Sequence, residues 1–413
     1  MRPVLAALIL LVSAPLCGYG ASPRASKAGD PSVMLQGFHW TSWKTSPWWG
    51  QVASKAGDIS RAGINLVWLP PANDSLDHEG YLPRRLAVMD SSYGTSSQLS
   101  TAISRLHASG VKVIGDIVIN HRVGTSDWAD FTEPAWGPDS VCSDDEWGKG
   151  QGAKDSGRAV PYARDIDHSK AYVQSSIKAW MNGLKDMGYD GWRYDYARGY
   201  APQYILGYNR ATSPAFAVAE IWDTLDLGAT DAHRQALCDW MDSVNGEVKA
   251  FDFTTKGVLQ QALGYGEFWH LKDSNNRPSG LIGLWPGNAV TFLDNHDTGP
   301  SPDSKATNRV WPFPEDKVAA GYAYILTHPG IPCIYWPHFF DWGLKDQISA
   351  LIKIRRDSGL SSLSVADIQR AEQGLYAAVI DGKVAMKLGD KAWTPGYGWK
   401  LAAQGQSYAV WTR

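Results

Sequence analysis

Three acidic residues stand where a carboxylate is hard to keep charged. Asp195 closes the run Gly191-Trp192-Arg193-Tyr194, Glu220 closes Phe216-Ala217-Val218-Ala219, and Asp297 follows Phe292-Leu293-Asp294-Asn295-His296. A charge directly after an apolar run loses hydration unless it gains partners or a task. One such residue is explained as a loop cap or an ion-pair partner. Three of them, with His121 and His296 ending runs as well, point to one shared site. The chemistry that needs carboxyl groups in different protonation states is glycosidic-bond cleavage. One carboxyl protonates the departing oxygen, and another, ionised, attacks or stabilises the anomeric carbon. Arg193, two residues before Asp195 and so on the same strand face, is expected to lower the pKa of Asp195 and keep it ionised. Glu220 is then the group that gains from a raised pKa.

Residues so far apart in the chain need a frame to bring them together. Short β-rich apolar runs at 33–37, 65–69, 111–119, 191–195, 215–220, 250–253, 289–293 and 331–335 alternate with amphipathic stretches such as 96–109, 170–187, 317–327 and 344–356. That alternation predicts an α/β fold, a (β/α)8 TIM barrel, whose active sites sit at the C-terminal ends of the strands. An open doubly wound sheet is the competitor, but no Gly-rich dinucleotide turn follows the first strand. The barrel is expected over 31–120 and 168–359. Between them, 121–167 loses periodicity, is rich in Gly, Asp, Pro and Trp, and is too long for an ordinary βα loop. It reads as an inserted irregular subdomain after the third strand, one that needs something other than a core to hold it, such as a cation. From 360 to 413, short alternating runs (374–380, 383–388, 407–411) between Gly-rich turns predict a small antiparallel β-domain.

Composition narrows the partners. A formal charge of -3, with 39 basic and 42 acidic residues interspersed, gives no field to concentrate nucleic acid or hold an anionic membrane. Twenty Trp and eighteen Tyr suit sugar faces, which combine apolar patches with hydroxyl rims. Arg2, the apolar run 4–12 and small residues at 18–21 follow the order of a secretory signal, so residues 1–20 are expected to be removed and the mature chain to be secreted and free of the membrane. Cys142, Cys238 and Cys333 then remain, too few and too widely spaced for a disulfide framework.

Beyond the acids themselves, the chain resembles the α-amylase family, most closely its plant-type branch. The resemblance is carried by Asp116-Ile117-Val118-Ile119-Asn120-His121, Gly191-Trp192-Arg193-Tyr194-Asp195, Ala219-Glu220-Ile221-Trp222 and Phe292-Leu293-Asp294-Asn295-His296-Asp297, in family order, with Asp165-Ile166-Asp167 closing the insert. It extends to Gln36-Gly37-Phe38, Trp68-Leu69-Pro70-Pro71 and Phe251-Asp252-Phe253. It implies a calcium-dependent, retaining endo-hydrolase of α-1,4-glucans in starch and glycogen, expected to be a monomer. Asp195 would be the nucleophile, Glu220 the general acid/base and Asp297 the transition-state stabiliser. Arg193 would orient Asp195, His121 and His296 would bind sugar hydroxyls, and Tyr81 would stack beneath the sugar at the cleavage point. Asp116 is expected to pair with Arg193.

The same resemblance implies one calcium, bound by Asn120, Asp155 and Asp165 with the backbone oxygens of Arg158 and Gly199, and hard oxygen ligands suit that ion. Further calcium ions, common in plant relatives, are not expected, because the segment after His121 is short and Ala159 replaces an acid. Two more departures stand out. Arg198 occupies a substrate-contacting Lys position, where the hydrogen-bonding geometry differs. Leu284-Trp285 replaces a Trp-Trp pair, leaving Trp285 alone as a platform for starch granules. Three alternatives stay open: an exo-acting amylase that forms maltooligosaccharides, a transglycosylase on the same barrel, and a non-catalytic glucan-binding barrel.

Overall fold

The apolar runs pair side by side into a closed parallel barrel in the computed structural model, which describes residues 29–126, 128–302 and 310–413. The expected signal lies outside the described residues. The barrel strands are β1 (Met34–Gln36), β2 (Leu66–Leu69), β3 (Lys112–Ile117), β4 (Gly191–Tyr194), β5 (Phe216–Ala219), β6 (Lys249–Phe251), β7 (Ala289–Thr291) and β8 (Ile331–Tyr335). Each pairs with its neighbours in sequence, and β1 closes the ring on β8. Helices α1 (Trp48–Ala62), α2 (Ser96–Ala108), α3 (Ala171–Met187), α4 (Pro202–Thr212), α5 (Thr230–Ser243), α6 (Phe253–Tyr265), α7 (Val318–Thr327) and α8 (Lys345–Asp357) each follow one strand. Among the described residues no helix is long and apolar enough to cross a membrane.

Register decides which side chains share a level of the rim. Asp116 on β3 pairs with Arg193 on β4, and Tyr194 on β4 pairs with Ala219 on β5. Asp195 and Glu220, each one residue further on, therefore leave the barrel at the same height.

The sixth strand is shorter than its apolar run. The sequence predicts strand through 250–253, but Phe253 already begins α6, because Asp252 caps that helix. Fully buried, Asp252 accepts from Thr255 N (2.7 Å), Thr255 Oγ1 (2.5 Å), Leu281 N (3.1 Å) and Ile282 N (3.0 Å). Asp252→Ala would strand these donors without water, and is expected to destabilise the fold by about 3 kcal/mol or more. Chemical denaturation of both proteins measures the difference, and a loss within experimental error would contradict the capping account.

The 121–167 stretch holds little regular structure. His121–Arg122 pairs antiparallel with Arg164–Asp165, and one short 3-10 turn covers Pro138–Ser140. It has more internal packing than its sequence suggests, since Phe131, Trp136, Val141 and Ile166 are buried in the main core. At its centre the buried guanidinium of Arg122 donates to the carbonyls of Arg84 (3.0 and 2.9 Å) and Pro134 (2.8 Å). It also donates to the Thr132 carbonyl (2.5 Å), and two rings flank it, Trp136 at 4.6 Å and Phe131 at 5.0 Å.

After α8 the chain forms an antiparallel sheet of β9 (Ala366–Glu372), β10 (Leu375–Ile380), β11 (Val384–Leu388), β12 (Lys400–Gly405) and β13 (Tyr408–Thr412), in the order β9-β10-β11-β13-β12. The central strands match the predicted runs. The two edge strands, β9 and β12, were not predicted: most of their residues face solvent and show no apolar alternation.

Candidate active site

One guanidinium organises the rim. Arg193, fully buried, donates through Nη1 to Asp116 Oδ1 (2.9 Å) and Asp195 Oδ1 (2.6 Å), while its Nη2 lies 2.8 Å from Glu220 Oε1. The Asp116–Arg193 pair is therefore present, as expected. Asp116 also accepts from Trp68 Nε1 (3.0 Å) and the Tyr81 hydroxyl (2.8 Å), so one cation and two neutral donors satisfy it.

Asp195, Glu220 and Asp297 line one cavity of about 670 Å³ with Tyr81, His121 and His296. Burial raises the pKa of Asp195 and of Glu220 above the ordinary value, and Arg193 only partly opposes it. The expectation that Arg193 would lower Asp195 overall is thus corrected: lost hydration outweighs the single cation, which three carboxylates share. Asp297 keeps 31% of its side chain open to the cleft and is raised well above the ordinary value, by burial first and then by the charge of Glu220.

The aromatic floor is assembled by hydrogen bonds. Asp77 accepts from Gly80 N (3.1 Å), Leu82 N (3.1 Å) and Tyr81 N (3.2 Å), which shapes the turn that presents Tyr81. Gly80 takes φ +94° there, and a Cβ would sit 2.9 Å from Pro71 Cβ. The Tyr81 ring lies parallel to His296 (4.9 Å, 6°) and to Trp40 (6.0 Å, 3°). Gln36 Nε2 donates to His296 Nδ1 (3.0 Å), which leaves the Nε2 proton of His296 for the cleft. Burial holds His296 well below its ordinary pKa, hence neutral. Both ring nitrogens of His121 are engaged within the protein, by Tyr81 O (2.8 Å) and Asn120 Nδ2 (3.3 Å).

Two residues named from the sequence lie elsewhere. Arg198 is ion-paired with Asp223 and borders a smaller cavity beside the cleft. Trp285 precedes β7, at the opposite end of the barrel from the acids; it and Leu284 are half-buried against the core.

Of the expected metal ligands, Asn120 lies against both Asp165 and Gly199, and the charge of Asp155 acts on Asp165. Asn120 Oδ1, Asp155 Oδ2 and Asp165 Oδ2 are all buried and have no hydrogen-bond partner. Asn120 instead donates through Nδ2 to Asp165 Oδ1 (3.1 Å). Gly199 presses against Asn120 so closely that a Cβ would lie 1.7 Å from Asn120 Oδ1. The Arg158 carbonyl accepts from the Tyr196 hydroxyl at 3.2 Å. Burial, with the charges of Asp155, Glu146 and Asp145, pushes Asp165 up to about 8. Acceptor oxygens buried without donors fit a hard cation. Asp145, Glu146 and Asp165 form an overlapping group with oxygens within 4.8 Å of one another, but Asp145 already accepts from Arg164 Nη1 (2.8 Å) and Asp165 N (3.0 Å).

The sequence reading missed Trp40, Asp77, Tyr162 and Trp222, all of which line the cleft. Trp222 lay inside a quoted motif and could have been found; Trp40 and Tyr162 sit in loops, where no periodicity marks them.

Residues 48–144 match the family model "Alpha amylase, catalytic domain", and 357–412 match "Alpha-amylase C-terminal beta-sheet domain". The chain is 41% identical to a probable alpha-amylase 2 of Arabidopsis thaliana, covering 92% of this chain and 93% of that protein. It is 31% identical to a glucan 1,4-alpha-maltotetraohydrolase of Stutzerimonas stutzeri, over 91% of this chain and 71% of that one. Among solved structures, an alpha-amylase from Malbranchea cinnamomea superposes with a TM-score of 0.65 at 18% identity, covering 93% of this chain and 95% of that chain. The last shares the fold alone, but likeness to the Arabidopsis protein along almost the whole of both chains does not stop at the fold: this chain belongs to the α-amylase family.

Proposed function

We propose that the protein is an α-amylase that hydrolyses internal α-1,4 bonds of starch-type glucans with retention of configuration. The observation that carries this reading is the cleft itself, in which Asp195 and Glu220 share one buried guanidinium at the C-terminal ends of the strands and Asp297 lines the same cavity. A shared cation keeps Asp195 and Glu220 close, as suits a retaining pair at about 5 Å better than an inverting pair with water between them. Glu220, with its raised pKa, protonates the leaving oxygen. Asp195, in contact with Arg193, attacks the anomeric carbon, and water later displaces it with Glu220 acting as base. Asp297 stabilises the charge that develops on the ring. Tyr81 carries the apolar face of the sugar, His296 offers its Nε2 proton to a hydroxyl, and His121 walls the same subsite.

Calcium, held by Asn120, Asp155 and Asp165 with the carbonyls of Arg158 and Gly199, would pin the 121–167 stretch to the barrel. This rests on the partnerless buried oxygens. Arg198 would act through Asp223 at the cleft edge, and Trp285 as a single remote contact for starch granules. Secretion and a monomeric state complete the reading, the first on the charged, apolar and small-residue order of the N-terminus.

Digestion of soluble starch tests it. An internal cleaver lowers viscosity early, before many reducing ends appear; slow viscosity loss with one short product would instead mark an exo-acting enzyme. The pH profile is a second check. Asp195 must be ionised and Glu220 protonated, so raising both pKa values moves both limbs of the kcat/KM curve upward. The acid limb is expected above the ordinary Asp value of 3.8, and a limb at or below it would contradict the assignment.

A further inference from the structure

The two carboxyl oxygens of Glu220 meet different partners. Oε1 lies 2.8 Å from Arg193 Nη2, while Oε2 accepts from the backbone N–H of Tyr196 at 3.3 Å. A proton is disfavoured on the oxygen that faces a cation, so the acid carries its proton on Oε2. One lone pair of Oε2 takes the Tyr196 N–H, and the other is left for the proton that goes to the leaving oxygen. The direction of that proton is therefore set by the backbone of Tyr196.

That backbone is in an unusual conformation. Tyr196 has φ +37°, in the left-handed region. A residue with a large side chain pays about 1 kcal/mol or more to stay there, and does so only where its surroundings impose it. On the barrel side, Asp195 N donates to Ile117 O (3.0 Å), Ala197 N to Glu220 O (3.1 Å) and Gly199 N to Tyr196 O (2.9 Å). On the other side, the Tyr196 hydroxyl donates to the Arg158 carbonyl (3.2 Å), and Tyr162 meets the ring edge-on at 6.1 Å and 80°. Arg158 and Tyr162 both belong to the 121–167 insert. The barrel thus holds the backbone of Tyr196, and the insert holds its ring.

We propose that Tyr196 is a positioning residue for the catalytic acid: its hydroxyl, anchored on the insert, keeps its N–H aimed at Glu220 Oε2 and so fixes the direction in which the proton leaves. The proposal rests on the α-glucan hydrolase reading above, in which Glu220 protonates the departing oxygen as its bond to the anomeric carbon breaks. Two leaving groups test it. Maltoheptaose releases a sugar that must be protonated as it departs, whereas 2-chloro-4-nitrophenyl α-maltotrioside releases a phenolate that needs no proton. Tyr196→Phe removes the hydroxyl and keeps the ring. It is expected to lower kcat/KM on maltoheptaose about fivefold, the scale of one neutral hydrogen bond, and to leave kcat/KM on the aryl substrate at the wild-type value. Calcium affinity, measured by chelator competition on both proteins, should stay the same. Equal losses on the two substrates, no loss on maltoheptaose, or a loss that vanishes at saturating calcium would overturn the assignment. If the unmodified protein hydrolyses neither substrate, the activity reading itself falls, a result distinct from any of those.

Discussion

Asp195→Asn is expected to reduce kcat by at least about 10⁴-fold while leaving the fold and oligosaccharide binding intact. The substitution keeps the shape of the side chain and removes its charge and its nucleophilic oxygen. The amide oxygen can still accept from Arg193 Nη1, and that guanidinium keeps Asp116 at 2.9 Å and Glu220 at 2.8 Å. Arg193 is therefore not left as an uncompensated buried charge. Single-turnover kinetics with a maltooligosaccharide, together with a binding titration and a melting curve, separate lost chemistry from lost structure. Retention of most activity would remove Asp195 from the mechanism.

Removing calcium should have the next largest effect. EDTA is expected to lower both the melting temperature and activity, and added calcium to restore them. Binding only to the folded form stabilises it by about 2.7 kcal/mol when free calcium is a hundredfold above Kd. Asp165→Ala should behave like the chelated protein and respond to neither reagent, since it deletes one of the three partnerless buried oxygens. A melting curve unmoved by EDTA, on protein shown by metal analysis to hold no calcium beforehand, would sink the calcium reading. The buried Arg122 moderates the expectation in one respect. Its bonds to the Arg84 and Pro134 carbonyls involve no proposed metal ligand, so the insert should loosen around Asp165 before it detaches from the barrel.

Most of the barrel was legible because its strands are short apolar runs, and those that end abruptly in a polar group are where the acids stand. The reading failed where burial does not follow a period. Helix α6 buries nine of its residues on nearly all sides, so its first turn looks like a continuation of β6 until the cap at Asp252 is seen. Strands β9 and β12 fail for the opposite reason, being mostly exposed sheet edges. Within the site, the sequence pattern carried Asp195 and Glu220, which end neighbouring strands at one height, and Arg193, two residues before Asp195 on the same strand. It could not show that burial outweighs Arg193 at Asp195, because that depends on how many carboxylates share the guanidinium. The proposed metal ligands came from family likeness rather than spacing, since Gly199 meets Asn120 only through the folded loops.

The cysteines of the described chain are unpaired and buried, and they sit in three different layers: Cys142 beside Asp165 in the insert, Cys238 on α5 and Cys333 on β8. Burial also raises the pKa of each thiol, so the reactive thiolate is scarce in the native state. The molecule thus carries its own clock for local opening. An alkylating reagent can mark a position only while the layer around it is open, and mass spectrometry of the fragments would give the order in which the layers come apart. Cys142 would be marked first if the insert is the weakest part, and Cys333 only when the barrel opens, with no residue changed.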